Sequence, residues 1–179
     1  MNVLVPLAEG FEEIEAMTVV DVLRRAGIKV VTAGLPGTIV LGSRNVKVIA
    51  DTKLDDIVAK DYDALVLVGG SPGYTNLSKS NKILKVIGDY HRDGKLVAAV
   101  CGAPTVLAEA GILTNIKATV YPGLEKYIPK PRSERVLAEG NVITSQGPGT
   151  SMEFALKLVE YLAGKETMKN VSEQVLFRL

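Results

Sequence analysis

Cys101 is the only cysteine among 179 residues, and it stands where the apolar run Leu96–Val100 gives way to Gly102-Ala103-Pro104. The pattern reads as a buried strand that turns at once into a helix. Pro104 suits the first helical turn, because the N–H it lacks would be unpaired there anyway. A thiol at that junction faces the positive end of a helix dipole and free N–H groups, and both favour the reactive thiolate. The expectation is a low-pKa nucleophile that is also a target for oxidation.

A second residue has the wrong chemistry for its place. On a wheel of about 100° per residue, Val22, Ala26, Val19, Leu23, Ala16 and Val20 fill one arc of a helix over Glu12–Ala26. Thr18, Arg25, Asp21, Arg24 and Glu13 fill the other. Glu15 falls inside the apolar arc, a full turn in, and is expected to be buried. Glu12 lies on the same arc, but at the helix start free N–H groups can satisfy it. A buried carboxyl has a raised pKa, so Glu15 can carry a proton near neutrality, donate it to sulfur and later act as a base. Ile14 and Met17 are misplaced in the opposite sense, on the polar arc, which marks that face as a subunit contact.

The elements that must position these groups alternate along the whole chain. Strands are expected at Asn2–Leu7, Ile28–Ala33, Ala64–Val68 and Leu96–Val100, and hairpins at Ile39–Leu41/Val46–Ile49 and Arg135–Ala138/Val142–Ser145. A further strand is expected at Ala118–Tyr121. Helices are expected at Glu12–Ala26, Leu54–Lys60, Asn81–Arg92, Pro104–Ala110 and Thr150–Leu162, the last with Thr150 and Glu153 as a capping box, and one more helical piece in the tail. Such alternation predicts an α/β domain over residues 1–179, a mostly parallel sheet with helices on both faces. Ligands of such sheets bind at the carboxyl ends of the strands. Gly69-Gly70, Cys101-Gly102 and Gly147-Pro148-Gly149 converge there, joined by the segment from Glu9 to Glu15.

Composition narrows the chemistry. Lys+Arg 21 against Asp+Glu 20 leaves a net charge of +1, which gives no electrostatic case for nucleic acid or an anionic membrane. No apolar run approaches the roughly 18 residues of a membrane span. A lone cysteine and the absence of a signal-like start at Met1–Val5 point to a reducing, cytoplasmic compartment. No cluster of His, Cys and carboxylates has metal-ligand spacing, so neither metal nor cofactor is expected. His91, the only histidine, precedes the strand that ends at Cys101. At about 3.3 Å per residue that separates the two by some 15 Å or more. A Cys–His dyad within one subunit is therefore not expected, and His91 reads as a solvated surface residue.

Several segments taken together resemble the ThiJ/PfpI (DJ-one) superfamily, and most closely its Parkinson-associated deglycase branch. They are Ala8-Glu9-Gly10-Phe11-Glu12-Glu13-Ile14-Glu15, Asp21-Val22-Leu23-Arg24-Arg25-Ala26-Gly27, Gly69-Gly70, Ala99-Val100-Cys101-Gly102-Ala103-Pro104 and Ser145-Gln146-Gly147-Pro148-Gly149-Thr150. The resemblance implies a flavodoxin-like three-layer sandwich with a small β-hairpin insertion, and a homodimer. It implies Cys101 on a strained nucleophile elbow and a protonated Glu15 against the sulfur. The N–H groups of Gly70 and Gly102 would form an anion pocket beside Gly69, with Pro148 lining it and Arg25 and Arg44 near the dimer contact. Two departures stand out. Gly102 replaces the histidine that protease-like members carry after the cysteine, and Tyr121 replaces a histidine common in the deglycase branch. The implied activity is cofactor-free, glutathione-independent conversion of small 2-oxoaldehydes such as methylglyoxal, or of their adducts, in the manner of a glyoxalase III or deglycase. A non-enzymatic redox sensor or chaperone and a PfpI-type cysteine peptidase are the alternatives.

Overall fold

The computed structural model describes residues 1–178. The chain runs β1 (Asn2–Ala8), α1 (Glu13–Arg25), β2 (Lys29–Leu35), β3 (Ile39–Leu41), β4 (Lys47–Ile49), β5 (Thr52–Lys53), β6 (Ala64–Leu67), α2 (Gly73–Ser78), α3 (Asn81–Arg92), β7 (Leu96–Val100) and α4 (Pro104–Glu109). It continues through β8 (Ala118–Thr119), β9 (Pro131–Arg132), β10 (Val136–Glu139), β11 (Val142–Ser145) and α5 (Ser151–Gln174). Seven strands form one sheet in the order β10-β11-β7-β6-β1-β2-β5. All neighbours in it are parallel except β10 and β11. The parallel core β2-β1-β6-β7-β11 has the strand order of a flavodoxin-like sandwich, with its switch point between β1 and β6. The small antiparallel hairpin β3–β4 stands apart from the sheet, as expected.

The central strands are apolar throughout because both faces are covered. Val3, Val5 and Leu7 of β1 join Val66, Ala98, Val100, α1 and α5 in one core, while Leu4 and Ala8 join Leu65, Leu67, Val97, α3 and α4 in the other. The strand period of two sorts the residues between the faces.

Several local expectations are corrected. Leu54–Lys60 is not a helix but two 3₁₀ turns, Leu54–Asp56 and Ala59–Asp61, with Ile57 and Val58 extended between them. The strand at 118 stops at Thr119, and α2 went unforeseen because its Gly73-Tyr74-Thr75-Asn76 start carries no apolar period. The last long helix and the further helical piece in the tail are both present, parted within α5 at Gly164, whose φ of 87° breaks the helical path. Thr150 does not cap through Glu153. Its hydroxyl instead accepts from the Gly147 N–H and contacts Ser145 Oγ at 2.5 Å, while Glu153 pairs with Arg135. The helix at 12 begins one residue late, with Glu12 as its cap, taking a hydrogen bond from the Glu15 N–H at 2.8 Å.

Candidate active site

The carboxyl ends of β1, β6 and β7 converge on Cys101. The residue has φ 64°, left-handed backbone that a non-glycine side chain adopts only under strain of about 1–3 kcal/mol. The turn is held from both sides. The Cys101 N–H donates to Ser145 O at 2.9 Å, and the Tyr121 N–H donates to Cys101 O at 2.8 Å. The elbow geometry follows from β7 ending at Val100 and the helix starting at Pro104, with only three residues between them.

Glu15 is completely buried (0% exposed), as its place on the wheel requires. Its Oε2 accepts from the Gly69 N–H at 2.7 Å. Oε1 is buried with no hydrogen-bond partner, and the carboxyl lies beside the Cys101 sulfur. Burial pushes its pKa up to about 7, a rise that the Gly69 N–H and the thiol oppose and the charge of Glu12 assists. The contact depends on glycine. A Cβ on Gly69 would stand 2.6 Å from Cys101 Cβ and 3.0 Å from Glu15 Oε2.

The surroundings of the thiol act against the depressed pKa that its place at a helix start implies. Burial, then the charge and hydrogen bond of Glu15, push the Cys101 thiol up to about 12. The Gly70 and Gly102 N–H groups act the other way and are outweighed. The helix behind the elbow is only six residues long, too short for a large dipole term. Cys101 and Glu15 therefore titrate as a coupled pair rather than as two independent groups. When a proton sits on Glu15, the neighbouring charge that opposes the thiolate is gone. The nucleophile forms by proton transfer inside the pair rather than by the helix field.

The sulfur opens into a cleft of about 420 Å³ lined by Glu12, Ser43, Arg44, Gly70, Ser71, Tyr74, Gly102, Tyr121 and Pro148, among others. Gly70 and Gly102 point their N–H groups at the sulfur. Gly70 has φ 93°, and any side chain there would strike the backbone of Gly10 to Glu12. Tyr121 is half exposed, with its ring against Gly147. A larger cleft of about 690 Å³ shares Tyr74 and Leu124 with this one but contains neither Cys101 nor Glu15.

Other expectations separate here. Ile14 (57%) and Met17 (38%) are exposed, with Arg25 beside them paired to Asp21 at 2.7 Å. His91 is not a solvated residue. It is half-buried in the last turn of α3, and its Nδ1 has no partner. It lies at the opposite end of β7 from Cys101, so it completes no dyad within this chain. Among the described residues no group of His, Cys, Asp and Glu could hold a metal ion, and no helix is long and apolar enough to cross a membrane.

Sequence reasoning missed two residues. Tyr74 lays its ring over Gly102, so close that a Cβ on Gly102 would stand 2.5 Å from it. Glu13, placed on the polar arc, is buried (9% exposed) because the β3–β4 hairpin covers it. Its partners lie thirty or more residues away, where no local pattern reports them.

Known proteins resemble this chain over nearly its whole length. Residues 1–161 match the DJ-1/PfpI family. Protein dj-1beta of Drosophila melanogaster is 42% identical over 98% of this chain and 96% of its own length. Its crystal structure superposes with a TM-score of 0.95, covering 99% of this chain and 98% of that one. The structure described as Toxoplasma gondii DJ-1, oxidized, is 38% identical with a TM-score of 0.96, covering 99% of each chain. The glutathione-independent glyoxalase DJR-1.2 of Caenorhabditis elegans is 35% identical over 88% of this chain and 86% of its own. Matched by the family over residues 1–161 and by these relatives over most of its length, the chain belongs to the DJ-1/PfpI family.

Proposed function

We propose that this protein is a cofactor-free enzyme that converts 2-oxoaldehydes such as methylglyoxal, or their early adducts, to 2-hydroxy acids through Cys101. The observation that carries the reading is the buried Glu15 carboxyl, held by the Gly69 N–H at 2.7 Å against the sulfur of a strained elbow cysteine. A carboxyl so placed can take a proton from sulfur and return it to carbon. The named glyoxalase activity of the Caenorhabditis elegans relative supports the same class.

In this mechanism the Cys101 proton passes to Glu15 as sulfur adds to the aldehyde carbon. The oxyanion of the hemithioacetal is received by the Gly70 and Gly102 N–H groups and takes the proton back from Glu15. Glu15, again a carboxylate, removes the hydrogen from the same carbon, giving an enediolate. The hydroxyl proton on that carbon passes to the neighbouring oxygen, and Glu15 delivers its proton to the adjacent carbon, leaving a thioester of the 2-hydroxy acid. Water cleaves the thioester, the acid leaves and Cys101 regains its proton. No redox partner is needed, since one carbon is oxidised as its neighbour is reduced. Tyr121 and Pro148 border the cleft, and the family resemblance implies a histidine where this chain has Tyr121. The test is lactate formation from methylglyoxal. Cys101→Ala and Glu15→Gln are each expected to lose at least about 100-fold in kcat/KM, and native rates in either variant would refute the reading.

A redox role for the same thiol is favoured by one observation. The Gly70 and Gly102 N–H groups that would receive a substrate oxyanion are equally placed to hold a sulfinate on Cys101. A peptidase reading has no such support, because the only histidine lies at the far end of β7. The protein is read as one cytoplasmic domain and a homodimer through the face bearing Ile14, Met17, Arg25 and Arg44.

A further inference from the structure

Glu13 points away from the Cys101–Glu15 pair, yet its carboxylate is the most heavily hydrogen-bonded on α1. Oε1 accepts from the Arg44 N–H at 2.7 Å and from the Val46 N–H at 3.3 Å, and Oε2 accepts from the Ser43 hydroxyl at 3.2 Å. All three donors belong to the turn joining β3 to β4. Gly42 in that turn admits the carboxylate, since a Cβ there would overlap it. Two backbone bonds, Gly10 N–H to Leu41 O at 2.7 Å and Ser43 N–H to Phe11 O at 2.8 Å, fasten the hairpin to the segment that leads into α1. The far edge of this turn, Ser43 and Arg44, forms a wall of the cleft that holds Cys101, and Arg44 is the only cationic residue on that wall among the described residues. The one carboxylate lining the same cleft is Glu12, the cap of α1.

We infer that Glu13 is a positioning residue that fixes the hairpin turn so that Arg44 favours anionic electrophiles at Cys101. An exposed arginine on a hairpin would otherwise sample many positions. Three hydrogen bonds to one buried carboxylate remove that freedom from its backbone. The inference rests on Cys101 being the reacting group of the proposed function, but not on any turnover.

The experiment is therefore alkylation of Cys101 in the full-length protein by iodoacetate, an anion, and by iodoacetamide, its neutral counterpart. In Arg44→Ala the iodoacetate-to-iodoacetamide rate ratio should fall about fivefold. In Glu13→Gln it should fall comparably, and Glu13→Asp should recover part of it. The sign discriminates between mechanisms. A carboxylate acting only through space repels iodoacetate, so its neutralisation would raise the ratio, and a rise or no change in Glu13→Gln overturns the inference. An unchanged ratio in Arg44→Ala overturns it as well. Should Glu13→Gln fail to fold, amide hydrogen exchange of the wild-type protein decides. Arg44 and Val46 amides exchanging much more slowly than open-loop rates support the clamp, and exchange at open-loop rates removes it. Loss of methylglyoxal turnover without these changes bears on the proposed function alone.

Discussion

At the scale of the residue, the site is a matter of where one proton sits. Burial raises Glu15 to about 7 and Cys101 to about 12, so the pair passes from two protons to one near neutrality. The one-proton state is the one that can place charge on sulfur. Alkylation of Cys101 by iodoacetamide is therefore expected to rise as pH increases through about 7. In Glu15→Gln that limb should vanish, leaving a single rise nearer the range of the thiol, as followed by mass spectrometry across pH. The same shift has a stability consequence with a definite sign. The folded state binds the Glu15 proton more tightly than the unfolded chain, so stability is highest below the ordinary carboxyl pKa and declines as pH rises to about 7. The full decline is about 3 kcal/mol. Urea denaturation from pH 4.5 to 8 should show it in the wild type and not in Glu15→Gln. Glu13 behaves oppositely. Burial alone would raise it, but hydrogen bonds from Arg44, Val46 and Ser43 outweigh that and hold it below its usual value.

At the scale of the element, glycines decide how closely backbones approach the sulfur. Gly69 lets the end of β6 lie against both Cys101 and Glu15, so a methyl there must displace one of them. Gly69→Ala is expected to cost about 1–3 kcal/mol and most of the lactate-forming activity. Gly164 is a contrasting control. Its φ of 87° is strained for any side chain, but a Cβ there meets nothing within 4 Å. Gly164→Ala should lower stability by about 1 kcal/mol and leave kcat/KM unchanged, read by thermal unfolding and turnover together. The Gly147 loop is placed by the Thr150 and Ser145 hydroxyls rather than by a Glu153 cap, which is how Pro148 reaches the cleft rim.

At the scale of the whole molecule, two cores share one sheet, and unfolding is expected as a single transition in which fluorescence and circular dichroism coincide. The exposed Ile14 and Met17 face carries the remaining prediction. Sedimentation should give a dimer for the wild type, and Ile14→Asp should give a monomer whose own unfolding transition is intact. Much of this was legible in the chain. The parallel α/β alternation, the elbow at Cys101 and the burial of Glu15 follow from apolar periods of two and about 3.6, because those periods are local and set which face a side chain occupies. What sequence left open depended on contacts across the fold. Glu13 looked solvent-facing until a hairpin some thirty residues on covered it. Tyr74 had no mark of its own until α2 laid it over Gly102. The Cys101 thiol could be expected to be acidic from its place at a helix start. Only the tertiary structure decided otherwise, because desolvation and the charge of a carboxyl from another element outweigh two N–H groups when all of them are buried together.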